Sequence, residues 1–437
     1  MKLIMLTAPN SNSGKTITTM ILTRLLKEKG FDIRGFKCGP DFIDSKFLEI
    51  ASKRPSSNLD LHLMGKEGLK KSLELNCGEF GILEGAMGYF DGIGTTMEGS
   101  AYDISRKLDI NSILVYKPQG EMMSMIPKIK GMVDFSKGRI KGIIFSKTRK
   151  MLYEQYKNLL EKHLDIEVLG YVEDLKDFQI PNVELGLLEP TEVEEFSEKL
   201  TKAALNLEKT VNLEKILSLS KDIKLDLKNE TLTPSLKIGI AKDEAFSFLY
   251  NENIKLIEKH FKIKYFSPLK DEKIPKVDML YFPGGKIEKH LKNLSKNISM
   301  INSIKEYFKL GGIIYGESGG LCYMAKSIKG LNMCRILKGD VEIKDKLQNF
   351  GYVNVILEKD CLLGKKNDKI PAHEFHYTTY KGEESPENFV EKASLTKNWK
   401  CGYILGNSYF SFQHVNFCGN EQVLENIVKI VKEQKCI

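Results

Sequence analysis

Gly312-Ile-Ile-Tyr-Gly-Glu-Ser-Gly-Gly-Leu321 compresses a strand, a turn and a helix start into ten residues. Gly312 to Tyr315 is an apolar run suited to a buried strand. Gly316-Glu317-Ser318-Gly319-Gly320 is a small-residue turn, and the apolar stretch Leu321 to Ala325 follows it. A sharp, glycine-flanked turn between a buried strand and a helix is a nucleophile elbow, which pushes its central residue, here Ser318, toward a substrate. The elbow predicts an α/β domain, and the alternation of strands and helices in the other half of the chain predicts a second one with a mostly parallel sheet.

Outward from the elbow, Leu236 to Ala241, Ile263 to Phe266 and Asp278 to Phe282 read as strands of the same domain. Phe282-Pro-Gly-Gly285 is a tight turn whose backbone amides could serve as an oxyanion hole, although a plain strand-to-helix turn would look the same. Downstream stand His373-Glu-Phe-His-Tyr377 and Ser411-Phe-Gln-His414-Val-Asn-Phe417.

The other half of the chain carries a second motif. An apolar strand over residues 2–7 runs into Ala8-Pro-Asn-Ser-Asn-Ser13-Gly14-Lys15-Thr16, and an amphipathic stretch follows to about Lys29. A loop between strand and helix offers backbone N–H groups and a helix N-terminus to phosphate oxygens. Lys15 would neutralise the terminal phosphates, and the Thr16 hydroxyl would hold Mg²⁺. Ala8 stands where the usual pattern has its first glycine. Strands Ile33 to Lys37 and Phe80 to Leu83 end in Cys38-Gly-Pro-Asp41-Phe-Ile-Asp44 and Glu84-Gly-Ala-Met-Gly-Tyr-Phe-Asp91-Gly92. Carboxylates at the C-terminal ends of parallel strands face the crevice in which such sheets bind ligands. Glu84 and Asp41 suit Mg²⁺, which prefers oxygen ligands. Taken singly they could equally be turn and cap residues. Ser112 to Tyr116, Ile140 to Phe145 and Glu167 to Tyr171 are further strands, alternating with helices near 100–108, 122–133 and 150–163.

A chain of 437 residues calls for two domains. The boundaries read as an ATP-binding domain over 1–195, a helical and charged linker over 196–235, and a second α/β domain over 236–437. The 66 basic residues exceed the 58 acidic ones by scattered lysines. That is a solvated surface rather than a nucleic-acid footprint. No stretch approaches the ~20 apolar residues of a membrane span. The N-terminus is a strand and not a signal peptide, and eight cysteines without a Cys-x-x-Cys pair fit a reducing cytoplasm.

Phe36-Lys37-Cys38-Gly39-Pro40-Asp41-Phe42-Ile43-Asp44, Asn58-Leu59-Asp60 and Glu84-Gly85-Ala86-Met87-Gly88 with Asp91-Gly92 resemble the synthetase domain of the cobyrinic acid a,c-diamide synthase family. That domain is related to dethiobiotin synthetase. The second half resembles the same family's class I glutamine amidotransferase domain, from Lys242-Asp-Glu-Ala-Phe246 through the elbow to His414. The resemblance spans nearly the whole chain. It implies two α/β domains, the first with a P-loop. It also implies a ligase that uses ATP and Mg²⁺ to amidate the a and c acetates of cobyrinic acid through acyl phosphates. Ser13, Gly14, Lys15, Thr16 and Lys37 would contact nucleotide, and Thr16, Glu84 and Asp41 the metal. Asp41, Asp44 and Asp91 would serve activation and binding of the corrinoid carboxylates. Phe42 stands where the family usually has tyrosine. A homodimer fits the family; nucleic acid and membrane are not expected partners. Another tetrapyrrole, such as nickel sirohydrochlorin or hydrogenobyrinic acid, would suit the same frame. So would a nucleotide-binding, non-catalytic paralogue, but that reading sits poorly with the retained carboxylates.

The family carries cysteine at the position of Ser318, and His414 matches its catalytic histidine. A thiol near pKa ~8.5 becomes a thiolate beside an imidazole, whereas a serine hydroxyl needs an oriented base at the moment of attack. Ser318 with His414 is therefore expected to hydrolyse glutamine poorly, which leaves free ammonia beside glutamine as nitrogen donor. Cys322, one helical turn past the elbow, reads as a packed core residue. His373 and His376 read as packed or interface residues rather than as the base.

Overall fold

The computed structural model describes residues 1–175, 190–227 and 234–436, which divide into two compact units. The first comprises the described residues of 1–61 and 66–227, and the second comprises 62–65 and 234–436.

In the first unit the strands are β1 (Lys2–Thr7), β2 (Ile33–Cys38), β3 (Ser57–Leu59), β4 (Phe80–Glu84), β5 (Ser112–Tyr116), β6 (Ile140–Phe145), β7 (Glu167–Tyr171) and β8 (Lys221–Asp222). The helices are α1 (Lys15–Glu28), α2 (Phe42–Ser52), α3 (Leu61–Leu75, broken at Gly65), α4 (Ala101–Lys107), α5 (Met125–Phe135), α6 (Lys150–His163), α7 (Pro190–Leu207) and α8 (Leu213–Ser218). The sheet order is β3-β2-β4-β1-β5-β6-β7, and β8 pairs antiparallel with β1. All other pairings are parallel. Parallel strands are covered on both faces and so read as unbroken apolar runs. In Lys2-Leu-Ile-Met-Leu-Thr7 only the lysine is exposed. The crossover helices follow from the same constraint, because a parallel neighbour cannot be reached by a tight hairpin.

The strand positions read from the sequence agree with these elements to within a residue or two. The helical part of the expected linker over 196–235 packs into the first unit. Phe196, Leu200, Ala203, Ala204 and Leu207 recur at helical spacing on α7 and are buried in the first unit's core, as is Ile216 of α8. A single polar anchor reinforces this packing. Arg24 of α1 is 1 % exposed. It donates through Nε to Ala51 O at 2.9 Å, through Nη1 to Thr201 Oγ1 at 3.0 Å, through Nη2 to Ser197 Oγ at 3.1 Å, and also to Ile50 O. One guanidinium thus ties α1, the end of α2 and α7 together. Residues 228–233 of the expected linker lie outside the described residues.

The second unit contains two sheets. Its strands are β9 (Leu236–Ala241), β10 (Phe261–Phe266), β11 (Met279–Phe282), β12 (Ile313–Glu317), β13 (Ser327–Ile328), β14 (Leu331–Asn332), β15 (Asp340–Ile356), β16 (Lys369–Lys381), β17 (Asn388–Lys392), β18 (Asn398–Cys401), β19 (Tyr403–Leu405), β20 (Ser408–Ser411) and β21 (Gln413–Val415). The first sheet, β10-β9-β11-β12-β20-β19, is parallel except for β19. Helices α9 (Asn251–Glu258), α10 (Ile287–Lys296), α11 (Ile298–Lys309), α12 (Gly319–Met324) and α13 (Glu421–Lys435) complete the unit. The second sheet, β14-β13-β15-β16-β21 with β17 and β18 appended, is mainly antiparallel. The sequence reading did not foresee it. Its longest strands, β15 and β16, mix charged and apolar residues and shift register between Ile343 and Gly351, so no clean alternation marks them.

Arg24→Ala leaves two buried carbonyls without a donor, a loss of about 3 kcal/mol. The first unit's urea transition should move to a clearly lower midpoint. An unchanged midpoint would mean that the apolar face of α7 suffices.

Candidate functional site

Two clusters of chemically able side chains lie at strand ends, one in each unit. In the first unit the chain leaves β1 and enters α1 through Gly14, which has a φ of 83° and caps the helix. A Cβ there would meet Cβ and Oγ of Ser146 at 3.0 Å, so both torsion and space call for glycine. The Ser146 hydroxyl donates to Ser13 O at 2.6 Å and fastens the loop to the end of β6. Ser13 in turn donates to Asn10 Oδ1 at 2.7 Å. The loop delivers Lys15, which is 8 % exposed and donates to Met87 O at 2.7 Å. Burial, and then the neighbouring Lys37, lowers the Lys15 ammonium to about 8.

Thr16 Oγ1 donates to Glu84 Oε1 at 2.6 Å, and Lys37 Nζ reaches the same oxygen at 3.0 Å. Lys37 also lies 2.6 Å from Asp44 Oδ2. Burial opposes the charge on Lys37, but Glu84, Asp44 and Asp41 outweigh it and hold the ammonium well above the ordinary lysine range. Burial likewise pushes the Glu84 carboxyl up, against Lys37. With so firmly charged a partner at 3.0 Å, the pair stands as an ion pair.

Asp41 has a local task at the start of α2. Its Oδ1 caps α2 by accepting from Ile43 N at 2.7 Å and Asp44 N at 3.1 Å. Asp91 turns back in the same way, accepting at Oδ2 from Gly88 N at 3.0 Å. Asn58, quoted in the sequence motif without a role, donates to Gly39 O at 2.8 Å and Asp41 O at 2.9 Å, and so sets the turn that presents Asp41 and Asp44. Met87 O and Ser146 were not legible as parts of this loop, because a carbonyl and a lone serine carry no sequence signal.

A divalent cation has a natural place here. Glu84 Oε2 is buried without a hydrogen-bond partner, while Oε1 is taken by Thr16 and Lys37. A hydroxyl beside a carboxylate oxygen suits Mg²⁺, which usually takes one or two protein ligands and completes its shell with water and phosphate. Among the described residues no group of three or more His, Cys, Asp or Glu converges as a closed metal cage.

In the second unit the elbow is as the sequence predicts. β12 ends at Glu317, Ser318 takes φ 48° and ψ −103°, and α12 begins at Gly319. Such a backbone is costly for serine. The elbow is held by Ser318 N donating to Ser411 O at 2.7 Å and Cys322 N donating to Ser318 O at 3.1 Å. It is crowded as well, since a Cβ on Gly320 would lie 2.1 Å from Phe282 O. Gly284 and Gly285 border it. A Cβ on Gly284 would lie 2.2 Å from His414 Cε1, and one on Gly285 would lie 2.0 Å from Ala245 O. Asp243 builds the facing loop by accepting from Ala245 N and Phe246 N through one oxygen, and from Ser267 Oγ and Leu269 N through the other.

His414 is fully buried, with Nδ1 3.5 Å from Glu317 Oε2. His373 pairs with His414 across β16 and β21, and burial, then His414, lowers its imidazole to about 3, so it stays neutral. His376 stacks on Phe412 at 4.2 Å and lies 3.2 Å from Glu374. Both are packed within the antiparallel sheet. Cys322 is buried, contacts Thr378 Oγ1 at 3.5 Å, and has its thiol pushed up to about 12 by burial, so it offers no thiolate.

Comparison with known proteins agrees with this division. Residues 4–187 match the CobQ/CobB/MinD/ParA nucleotide binding domain, and residues 237–421 match the CobB/CobQ-like glutamine amidotransferase domain. The chain is similar along its length to proteins named cobyrinate a,c-diamide synthase. The one from Clostridium tetani is 36 % identical, over 98 % of this chain and all of that protein. The one from Clostridium acetobutylicum is 37 % identical over the same shares. The one from Sulfurisphaera tokodaii is 35 % identical over 95 % of this chain and 97 % of that protein. With a P-loop unit, an elbow unit and relatives matched from end to end, the chain belongs to the cobyrinate a,c-diamide synthase family, and so to the ligases that form C–N bonds.

Proposed function

We propose that the chain amidates the a and c acetate side chains of cobyrinic acid at the expense of ATP, and that ammonia is its effective nitrogen donor. The observation that carries the first part is the linked set Lys15, Thr16, Lys37, Glu84 and Asp44 around the turn after β1. Lys15 and the amides at the start of α1 favour the nucleotide's phosphates. Glu84 and Thr16 would hold Mg²⁺, which supplies neutralisation of the phosphate oxygens as charge shifts between them. Asp41 acts first as the cap that fixes Asp44 and Lys37. Asp44 and Asp91 complete the acidic rim toward the substrate. A substrate carboxylate oxygen attacks the terminal phosphorus and ADP leaves. Ammonia then attacks the acyl carbon and phosphate leaves. Catalysis of this kind is positioning and charge stabilisation.

The nitrogen donor follows from Ser318. The elbow geometry is kept, but a hydroxyl stands where the family resemblance implies a thiol, and Cys322 does not replace it, because burial pushes its thiol up to about 12. Eight cysteines scattered without a Cys-x-x-Cys pair fit a reducing, cytoplasmic setting. Among the described residues no helix is long and apolar enough to cross a membrane.

The experiment is amidation of cobyrinic acid by the full chain with Mg²⁺, ATP and ammonium. One ADP should appear for each carboxamide formed. Diamide without ADP, or ADP without diamide, would defeat the reading. Glu84→Gln should raise the Mg²⁺ concentration for half-maximal activity by at least ~10-fold, whereas an unchanged Mg²⁺ dependence would remove Glu84 from the metal site. pH gives a third check. Lys15 is charged below about 8 and neutral above it, and phosphates favour the charged form. Nucleotide affinity, measured by calorimetry, should therefore weaken as pH rises through 8, by up to ~10-fold per unit. Lys15→Arg, which stays charged, should flatten that fall. A wild-type affinity flat to pH 10 would contradict the assignment.

A further inference from the structure

The residue immediately before Ser318 is itself a buried carboxylate with an organised surrounding. Glu317 is 2 % exposed at the end of β12. Its Oε1 accepts from Val415 N at 3.1 Å and from the Tyr315 hydroxyl. Its Oε2 accepts from the Tyr281 hydroxyl at 2.9 Å and lies 3.5 Å from His414 Nδ1. Tyr281 and Tyr315 stack at 5.1 Å with ring planes 12° apart. Burial and the charge of Glu317 push both phenols well above their ordinary range, so both remain donors. Three donors aimed at one carboxyl group fix its orientation. Such a group next to an imidazole nitrogen can fix which nitrogen carries the proton.

We propose that Glu317 is the positioning residue for His414. It accepts from Nδ1–H, holds the imidazole in that tautomer, and leaves Nε2 to act as base on the side chain at position 318. The 3.5 Å separation is longer than a formed hydrogen bond, and contacts of this kind commonly tighten when substrate binds. Glu374, another buried carboxylate in this unit, is engaged by Gln413 and His376. Glu252 is bonded to Asn416 at 2.8 Å. This inference rests on reading Ser318 and His414 as the elbow pair. It adds that the carboxylate behind the imidazole is in place, so that a thiol at position 318 would revive glutamine hydrolysis. In Ser318→Cys the sulfur would attack the glutamine carboxamide carbon while its proton passes to His414 and on to the departing ammonia. Water would then cleave the thioester to glutamate and restore the thiol.

The test uses the full-length chain with ¹⁵N-labelled histidine, and His414 assigned by substitution. The His414 signal should report the Nδ1–H tautomer. Glu317→Gln should move it toward Nε2–H, Glu317→Asp should keep it largely in place, and Glu252→Gln should leave it unchanged. In the Ser318→Cys background glutamate release should appear. Adding Glu317→Gln should lower kcat by ~10²–10⁴-fold with little change in KM, as for other triad acids replaced by their amides, and Glu317→Asp should recover part of it. Circular dichroism verifies folding, and the aspartate variant keeps the comparison informative if the glutamine variant is unstable. A tautomer indifferent to Glu317→Gln, or one that responds to Glu252→Gln instead, overturns the proposal. If Ser318→Cys releases no glutamate while the tautomer still follows Glu317, the positioning role stands and the reading of position 318 as the nucleophile fails.

Discussion

Backbone crowding where a parallel strand gives way to a helix is the constraint on which both candidate sites depend. At Gly320 the next atom would fall 2.1 Å from a carbonyl oxygen, at Gly285 2.0 Å, and at Gly88 2.6 Å from Pro9 O and 2.5 Å from Asp91 Oδ2. With no room for side chains on the turns, the side chains beside them are forced into defined directions. Lys15 and Thr16 follow a glycine and converge on Met87 O and Glu84. Ser318 precedes two glycines and is driven to φ 48°. Strain of about 1–3 kcal/mol at such a residue persists only if the surroundings over-determine it. Here Ser411, Cys322 and Phe282 do so.

The two sites use charge differently. In the first unit an ammonium is sandwiched between carboxylates, so that a firmly charged Lys37 keeps Glu84 ionised despite burial while Glu84 Oε2 is left over. In the second unit the carboxylate of Glu317 is satisfied by neutral donors, two phenols and an amide. That arrangement leaves Glu317 Oε2 3.5 Å from the imidazole Nδ1 of His414. The first pattern suits anchoring a cation and phosphates; the second suits steering a proton.

Much of this was legible in the chain. Parallel strands announce themselves as apolar runs, and glycine-rich strand ends mark turns, so β1, β4, β5 and the elbow could be placed from sequence. The resemblance supplied the roles that spacing alone could not. What escaped was set by tertiary packing. α7 reads as the helical part of a linker until Phe196 and Leu200 find the core and Arg24 finds Ser197 and Thr201. The antiparallel sheet of β15 and β16 hides behind mixed charge and a register shift. Asp41 reads as either a metal ligand or a cap, and its Oδ1 does cap α2. The direction of Glu317 could not be read at all, because the face a residue presents at a strained turn depends on the torsions around it.

If an intact synthetase unit works beside an elbow that its serine has largely silenced, as proposed, one competition measures it directly. Cobyrinic acid, Mg²⁺ and ATP are supplied with amide-¹⁵N glutamine and unlabelled ammonium together, and the diamide is weighed by mass spectrometry. Unlabelled diamide, with nitrogen drawn from ammonium, is the expected result. Diamide carrying ¹⁵N at both carboxamides would show that Ser318 serves glutamine efficiently and would contradict it.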